Sequence, residues 1–311
     1  MEVDLVYLWV NGNDPVWKAK HDAVAGITDE SGAGNCEGRY ADNDELKYSL
    51  RAVEQYAPWI RRIFIVTDNQ TPSWLDTSNP KIRIIDHKEI LQPENLPTFN
   101  SVAIEHQLHK IPGLAEHFLY ANDDMYFNRP VKQSDFFTSD GMPIIRLNRR
   151  PLRKLSLWLQ QNLQGKELSN YNKTILRAGN IVKEKTGKYF GAKPHHNIDA
   201  FCRTQYEETF ETFKTEIEPT LSNRLRSDND IQRVIYSYYP LAAGKARGVY
   251  VTQKTSFRLH THRHNHYSKL ERFNPMLFCL NDSQYATEGD REMMLLFLKR
   301  RFPTPSSFER S

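Results

Sequence analysis

The sequence predicts an α/β protein: a Rossmann-like, mostly parallel sheet flanked by helices, with a helical insertion. Three observations lead there. Short β-prone runs alternate with helix-period segments over residues 1–150. Each run ends in acidic or turn-forming residues. Beyond residue 150 the pattern becomes mainly helical, until about residue 245. The chain of 311 residues is read as one domain, with 1–150 and about 245–311 as its α/β core and about 151–244 as the insertion.

The elements follow in order. VDLVYLWV (Val3 to Val10) is a nearly continuous apolar run, the pattern of a strand buried on both faces. It stops at Asn11-Gly12-Asn13-Asp14-Pro15, a dense group of turn formers. Residues 26 to 41 are Gly-rich and polar and read as a mobile loop. A helix is expected to start near Asp42, with Glu45 as its capping-box partner. Leu46, Leu50 and Val53 line its face, and Pro58 marks its end. Two further strand patterns, Ile60 to Asp68 and Lys81 to His87, close on polar residues. A second helix is expected from about Asn100 to Lys110, terminated by Pro112-Gly113. His117 to Asp123 is a strand that runs straight into Asp123-Asp124. Amphipathic stretches then fall at 169–186, 199–215 and 228–239. Gly248 to Thr252 is read as a strand returning to the sheet, and a last helix near 289–301 precedes Pro303 and Pro305.

Composition narrows the function. Hydrophobic content of 39% and aromatic content of 12% exclude a disordered chain. Lys+Arg 42 against Asp+Glu 38 gives a formal charge of only +4, well mixed, which argues against a nucleic-acid binder. Cys36, Cys202 and Cys279 are odd in number, widely spaced and without a CxxC pair, so no disulfide framework or cysteine zinc site is indicated. Glu2 and Asp4 make the N-terminus unlike a signal peptide, and no apolar run reaches spanning length. The expectation is a cytoplasmic protein, at most peripheral at the inner face of the cell membrane.

Several residues are candidates for chemistry, each with a plain structural alternative. Asp123-Asp124 directly follows a strand, where open α/β sheets gather ligands, and paired carboxylates suit Mg²⁺ or Mn²⁺. The alternative is a solvated turn. Asn11, Gly12 and Asp14 end the first strand in the same way, with Gly12 able to admit a ligand to the backbone; the alternative is an ordinary turn. Asp68 after the second strand poses the same choice, and Asn100 and Ser101 head the second helix. His195-His196, followed by Asp199, is read at the head of a helix, as a general base, a phosphate contact or a metal ligand; the alternative is a surface or packed histidine. Arg226 precedes another that Ser227 or Asp228 would cap, so its guanidinium would reinforce an anion site at a helix N-terminus. His260 to His266 alternates so as to place four imidazoles on one strand face, without zinc spacing. The basic run Arg146 to Lys154 would meet an anionic surface or simply be solvated.

Together these segments resemble the Stealth family. VDLVYLWVNGNDP resembles its first conserved region. DNDELKYSLRAVEQYAPWIRRIFIVTDNQTPSWL, continued by LPTFNSVAIEHQLHKIPGLAEHFLYANDDMYFNRPV, resembles the second. PHHNID, NRLRSDNDIQ and IYSYYPL resemble the third, and FCLNDSQ with FPTPSSFER the fourth. The resemblance implies transfer of a hexose-1-phosphate from a UDP-sugar to a glycan hydroxyl, with release of UMP, in capsule or cell-surface polysaccharide synthesis. By position it implies Asp123 and Asp124 as the acidic pair holding the metal, His196 as the essential histidine and Arg226 as the essential arginine. PHHNID carries one residue more than the commoner Pro-His-x-Ile-Asp form, which keeps His195 beside His196 as a candidate. Asn11, Gly12, Asp14, Asp68, Asn100, Ser101 and His195 are expected on the substrate side. The acceptor is expected to be lipid-linked. The competing readings are a metal-dependent glycosyltransferase releasing UDP and a glycan-binding protein without turnover.

Overall fold

The computed structural model describes residues 1–26, 40, 42–149, 159, 162–163, 167–283 and 285–310. The Gly-rich stretch 27–39, with Cys36, lies outside them, as do Arg150 to Lys154 of the basic run.

Four strands, β1 (Val3–Leu8), β2 (Ile63–Thr67), β3 (Ile82–Asp86) and β4 (His117–Asn122), form the parallel part of a five-stranded sheet in the order β3-β2-β1-β4-β7. The fifth, β7 (Asp199–Cys202), pairs antiparallel with β4. Side chains alternate between two cores because successive Cβ atoms leave opposite faces. Val3, Leu5, Tyr7, Ile63, Ile65, Leu119 and Ala121 enter one; Val6, Phe64, Val66, Phe118 and Tyr120 enter the other. Both faces are covered, which explains the continuous apolar run of β1. The one acid inside it, Asp4, is fully buried and satisfied: it accepts from Arg61 at 2.7 and 2.9 Å and from the Arg62 and Ala115 amides at 3.1 and 2.7 Å.

Helix α1 (Pro15–Ala25) follows β1, and α2 (Glu45–Tyr56) packs Leu46, Leu50 and Val53 into the first core as its spacing predicts. Its start differs from expectation. Asp44 precedes the helix at φ 63° without a side-chain cap, because the Glu45 carboxylate accepts from the amide and side chain of Asn43 at 2.7 and 2.8 Å. After the short α3 (His87–Ile90), the helix expected over 100–110 stops early as α4 (Ser101–Glu105). His106 turns inward there, between the Tyr236 hydroxyl and the Ile231 carbonyl, both at 2.8 Å.

Strand β4 continues through only two residues into β5 (Met125–Phe127), which belongs to a different sheet, ordered β5-β10-β9. Strand β6 (Ile144–Leu147) precedes α5 (Asn170–Thr186), the first amphipathic stretch and helical as expected. The second stretch opens as β7 and only then forms α6 (Arg203–Thr212) and α7 (Lys214–Ser222). All four β7 residues are buried, a position a half-exposed helix does not provide. In the third, 227–234 are irregular chain with turns at 228–229 and 233–234, and α8 (Ile235–Ala242) alone is helical. Strand β8 (Arg247–Tyr250) does not rejoin the main sheet; it pairs in parallel with β6. The chain ends with β9 (Ser256–His260), α9 (Asn265–Phe273), β10 (Leu277–Asn281) and α10 (Glu288–Arg301), the last with a Thr287–Asp290 capping box.

Helices α2 and α10 cover one face of the main sheet; α5, α6, α7 and α8 supply residues to the core on the other. No helix among the described residues is long and apolar enough to cross a membrane.

Candidate active site

Strand order reverses between β1 and β4, and a crevice opens beyond the carboxyl ends of the strands there. Two adjoining cavities occupy it. The smaller, about 130 Å³, is walled by Trp9 and Val10 after β1, Asp68 after β2, Asp123 after β4, and by Trp17, Tyr40 and Phe99. The larger, about 790 Å³, is walled by His195, His196, Asp199, Arg233 and Tyr171. Ser101, Asn122 and Arg226 line both. They mark the junction.

The two-residue link between β4 and β5 is Asp123-Asp124. Pairing into two sheets fixes it, and the Leu280 amide donates to the Asp124 carbonyl at 2.8 Å. The carboxyls diverge. Asp123 lines the smaller cavity, and the Cys279 thiol donates to Asp124 Oδ2 at 3.4 Å. Burial, then the charges of Asp124, Glu45 and Asp42, hold Asp123 well above the usual carboxylate range. Burial likewise raises Asp42 and lifts Glu45 to about 7. Four crowded carboxyls, Glu45 buried and the others half-buried, are costly as bare anions, and a hard divalent cation relieves that cost through oxygen ligands. Asp124, His196 and Cys279 also offer ligand atoms within 4.8 Å of one another. Burial and the nearby Asp124 charge push the Cys279 thiol far up, however, so it stays protonated and serves as a donor. The donor chemistry fits a hard cation held by the acids.

His195 and His196 stand before a strand and not at a helix head. His195 is 5% exposed; Nδ1 hydrogen bonds with Ser256 Oγ at 3.0 Å, and Nε2 lies 3.3 Å from Asp199 Oδ1 without hydrogen-bond geometry. Its neighbour His196 comes to the acidic link instead. Enclosure, reinforced by Arg258 and Arg233, lowers His196 to about 3, so its imidazole is neutral. Arg226 donates through Nη2 to Ser101 Oγ at 2.8 Å. The expected helix N-terminus beside it is not there. Asp230 takes the Ser227 amide at 3.0 Å in a turn, and α8 begins only at Ile235. Ser101 aims the guanidinium where a helix dipole was expected to act.

The β1–α1 turn departs furthest from expectation. Gly12 does admit a close backbone, but it is that of Tyr40: the Gly12 amide donates to its carbonyl at 2.7 Å, and a Cβ on Gly12 would lie 2.5 Å from that oxygen. Asp14 caps α1, accepting from Val16 and Trp17 amides at 2.8 and 3.3 Å. Gln70 ties Asn11 to Asp14. Asn100 is fully buried, capping α4 and donating to Asp230 at 3.0 Å. Asn11, Gly12, Asp14 and Asn100 therefore build walls and do not line either cavity. Asp68 does line the smaller one, paired with Lys20 at 2.6 Å.

Sequence reasoning missed two groups. Trp17 stacks on His21 with ring centroids 5.2 Å apart and meets Tyr40 and Phe99 at 5.1 and 5.2 Å. Trp17 and His21 share the four-residue spacing of one helix face, a signal present in the sequence. The other group has no local signal. Arg233 pairs with Asp199 at 3.0 Å and Glu105 at 3.5 Å and lies 4.3 Å over the Tyr120 ring, joining four separate segments. The His-rich stretch does not form a strand face: His260 ends β9, His264 turns to Asp290 at 2.7 Å, and His266 lies on α9. In the basic run, Arg146 is buried over the Phe136 ring at 4.8 Å and donates to the Asp135 carbonyl.

Comparison with known proteins identifies the family. Residues 1–29 match conserved region 1 of the Stealth proteins, and residues 39–145 match conserved region 2. An exopolysaccharide phosphotransferase of Streptomyces coelicolor is 36% identical over 99% of this chain and 52% of its own length. The receptor polysaccharide phosphotransferase WefC of Streptococcus oralis is 31% identical over 99% of both chains. The chain spans only 52% to 62% of the length of several other relatives. Among solved structures, the galactosyltransferase LgtC in complex with donor and acceptor sugar analogs has a TM-score of 0.48 at 12% identity, covering 98% of this chain and 96% of that one. Conserved regions matched in order, and a relative aligned end to end, make this chain a member of the Stealth family.

Proposed function

We propose that the protein transfers a hexose-1-phosphate from a UDP-sugar to a glycan hydroxyl, releasing UMP, in the synthesis of a bacterial surface polysaccharide. The observation that carries this reading is the convergence, at the junction of two cavities, of the acidic link, the Ser101–Arg226 pair and a neutral histidine. A nucleotide end and an acceptor end are thereby separated by one cluster of charge.

The smaller cavity, with aromatic walls and Asp68, suits a nucleobase and ribose, and the larger suits the sugars. Asp123 and Asp124 would hold Mg²⁺ or Mn²⁺, which when bound neutralises diphosphate oxygens. Arg226, oriented by Ser101, would grip the transferred phosphoryl with its planar fork. His196, neutral at physiological pH, would orient or deprotonate the attacking hydroxyl. The acceptor oxygen bonds to phosphorus as the bond to the UMP oxygen breaks. Positioning and charge neutralisation carry most of such a displacement. We place the acceptor on a lipid-linked glycan met at the inner membrane face.

The test is to incubate the protein with UDP-hexoses, Mg²⁺ and a glycan acceptor and identify the nucleotide product. UMP with a new sugar–phosphate–glycan diester is expected, and Arg226→Lys should be crippled although the charge is kept. UDP with a plain glycosidic bond would assign the protein to the glycosyltransferases. No product would leave a glycan-binding role.

A further inference from the structure

Resting on that reading, we infer that the outer part of the larger cavity is the acceptor-glycan subsite, with Tyr171 as the ring on which an acceptor sugar stacks. Tyr171 stands in the first turn of α5 and is 41% exposed on the wall of the 790 Å³ cavity. Lys193, two residues before His195, holds its ammonium 4.9 Å from the Tyr171 ring centre. The ring is thus tied to the segment that carries His196. Tyrosine offers a wide, rigid, amphipathic face at little entropic cost, which suits the apolar face of a pyranose.

The wall around it is built in advance. Lys173 bridges Glu167 at 2.6 Å and Asp228 at 3.3 Å, fixing the start of α5 against the loop that presents Arg226. Charge then selects the occupant. Glu167 and Asp228 are exposed acids at this wall, whereas Arg226 lies at the junction with the smaller cavity. Paired with Lys173 and flanked by Lys193, the two acids leave this wall with little net charge, so a phosphate is drawn to the arginine at the junction and not here. A neutral polyhydroxyl chain is welcome there, since carboxylates and the Asn170 and Gln232 amides accept and donate to hydroxyls. The acceptor hydroxyl would enter from this near-neutral, aromatic side and reach His196.

Saturation-transfer NMR with the methyl glycosides of glucose, galactose, mannose and N-acetylglucosamine tests this without turnover. At least one should receive magnetisation from the wild type. Tyr171→Ala should weaken that binding by about fivefold to tenfold, and Tyr171→Trp should restore it. UMP affinity, measured by calorimetry, should stay the same in both variants. In the coupled reaction, Tyr171→Ala should raise the KM for the glycan and leave the KM for the UDP-sugar unchanged. Unaltered glycoside binding in Tyr171→Ala, or a matched loss of UMP affinity, overturns the subsite. The outcomes are separable from the enzymatic reading: UMP production with unchanged glycan KM sinks only the subsite, and glycoside binding lost in Tyr171→Ala supports it even where no UMP forms.

Discussion

Two loops leave neighbouring strands at the same edge of the sheet, and they have opposite fates. Asn11 to Asp14 after β1 and Asp123-Asp124 after β4 look alike in sequence, each a polar cluster at the end of an apolar run. In the first, every candidate is consumed locally: Gly12 on the Tyr40 carbonyl, Asp14 on the α1 amides and Gln70, Asn11 on Gln70. In the second, the link spans two sheets, and Asp123 is half-buried among other acids. Polar groups that satisfy one another make a turn. Carboxyls crowded together by the fold and turned toward a cavity make a candidate site.

The largest expected effect tests the site loop. Asp124→Asn should lower turnover by roughly 100-fold or more while circular dichroism and melting stay close to wild type. Near-normal rates in both Asp123→Asn and Asp124→Asn would erase the difference between the loops. Gly12→Ala comes next and should act on stability. Its Cβ would collide with the Tyr40 backbone, costing about 1–3 kcal/mol in urea unfolding. A variant as stable as wild type would mean that Tyr40 moves freely.

The loops should also answer pH in opposite directions. Glu45, beside the acidic link, stands at about 7 against an ordinary 4.5. Between those values the folded state keeps a proton that the unfolded chain has lost, so stability falls as pH rises through this window and levels off above it. Asp14 is shifted the other way, held low by its Gln70 and backbone hydrogen bonds. Its contribution is present above the unfolded pKa and fades as pH falls. Metal-free unfolding at pH 5 and pH 8 should therefore lose part of its pH dependence in Glu45→Gln, favouring the variant at pH 8. The smallest effect is Asp14→Ala, which should cost about 1 kcal/mol of stability as a lost helix cap and alter the KM for the UDP-sugar little. A large rise in that KM would return Asp14 to the substrate side.

Much of the lining of the candidate site was legible because its residues sit at strand ends or in recognisable blocks. Asp123, Asp124, His196, Arg226, Ser101 and Asp68 all reach the crevice or the acidic link. Asn11, Gly12, Asp14 and Asn100 did not, since a sequence shows that a polar residue is present but not whether a neighbour has already claimed it. The helix expected beside Arg226 failed for a related reason: the apolar spacing of Ile231, Val234 and Ile235 fits a helix, yet Ile231 is fixed by its amide to Thr220 and its carbonyl to His106.

The sequence by itself determined the alternation of strand and helix, the burial of the parallel strands on both faces, the family and the acidic link, because each rests on local periodicity or on contiguous residues. Tertiary structure alone decided that β7 would close the sheet antiparallel and that β8 would pair with β6. It also decided that Trp17, Tyr40 and Phe99 would share one wall, and that Arg233 would meet Asp199, Glu105 and Tyr120. Those contacts join residues far apart along the chain, and no short window of sequence records which distant partner will neutralise a charge or cover a ring.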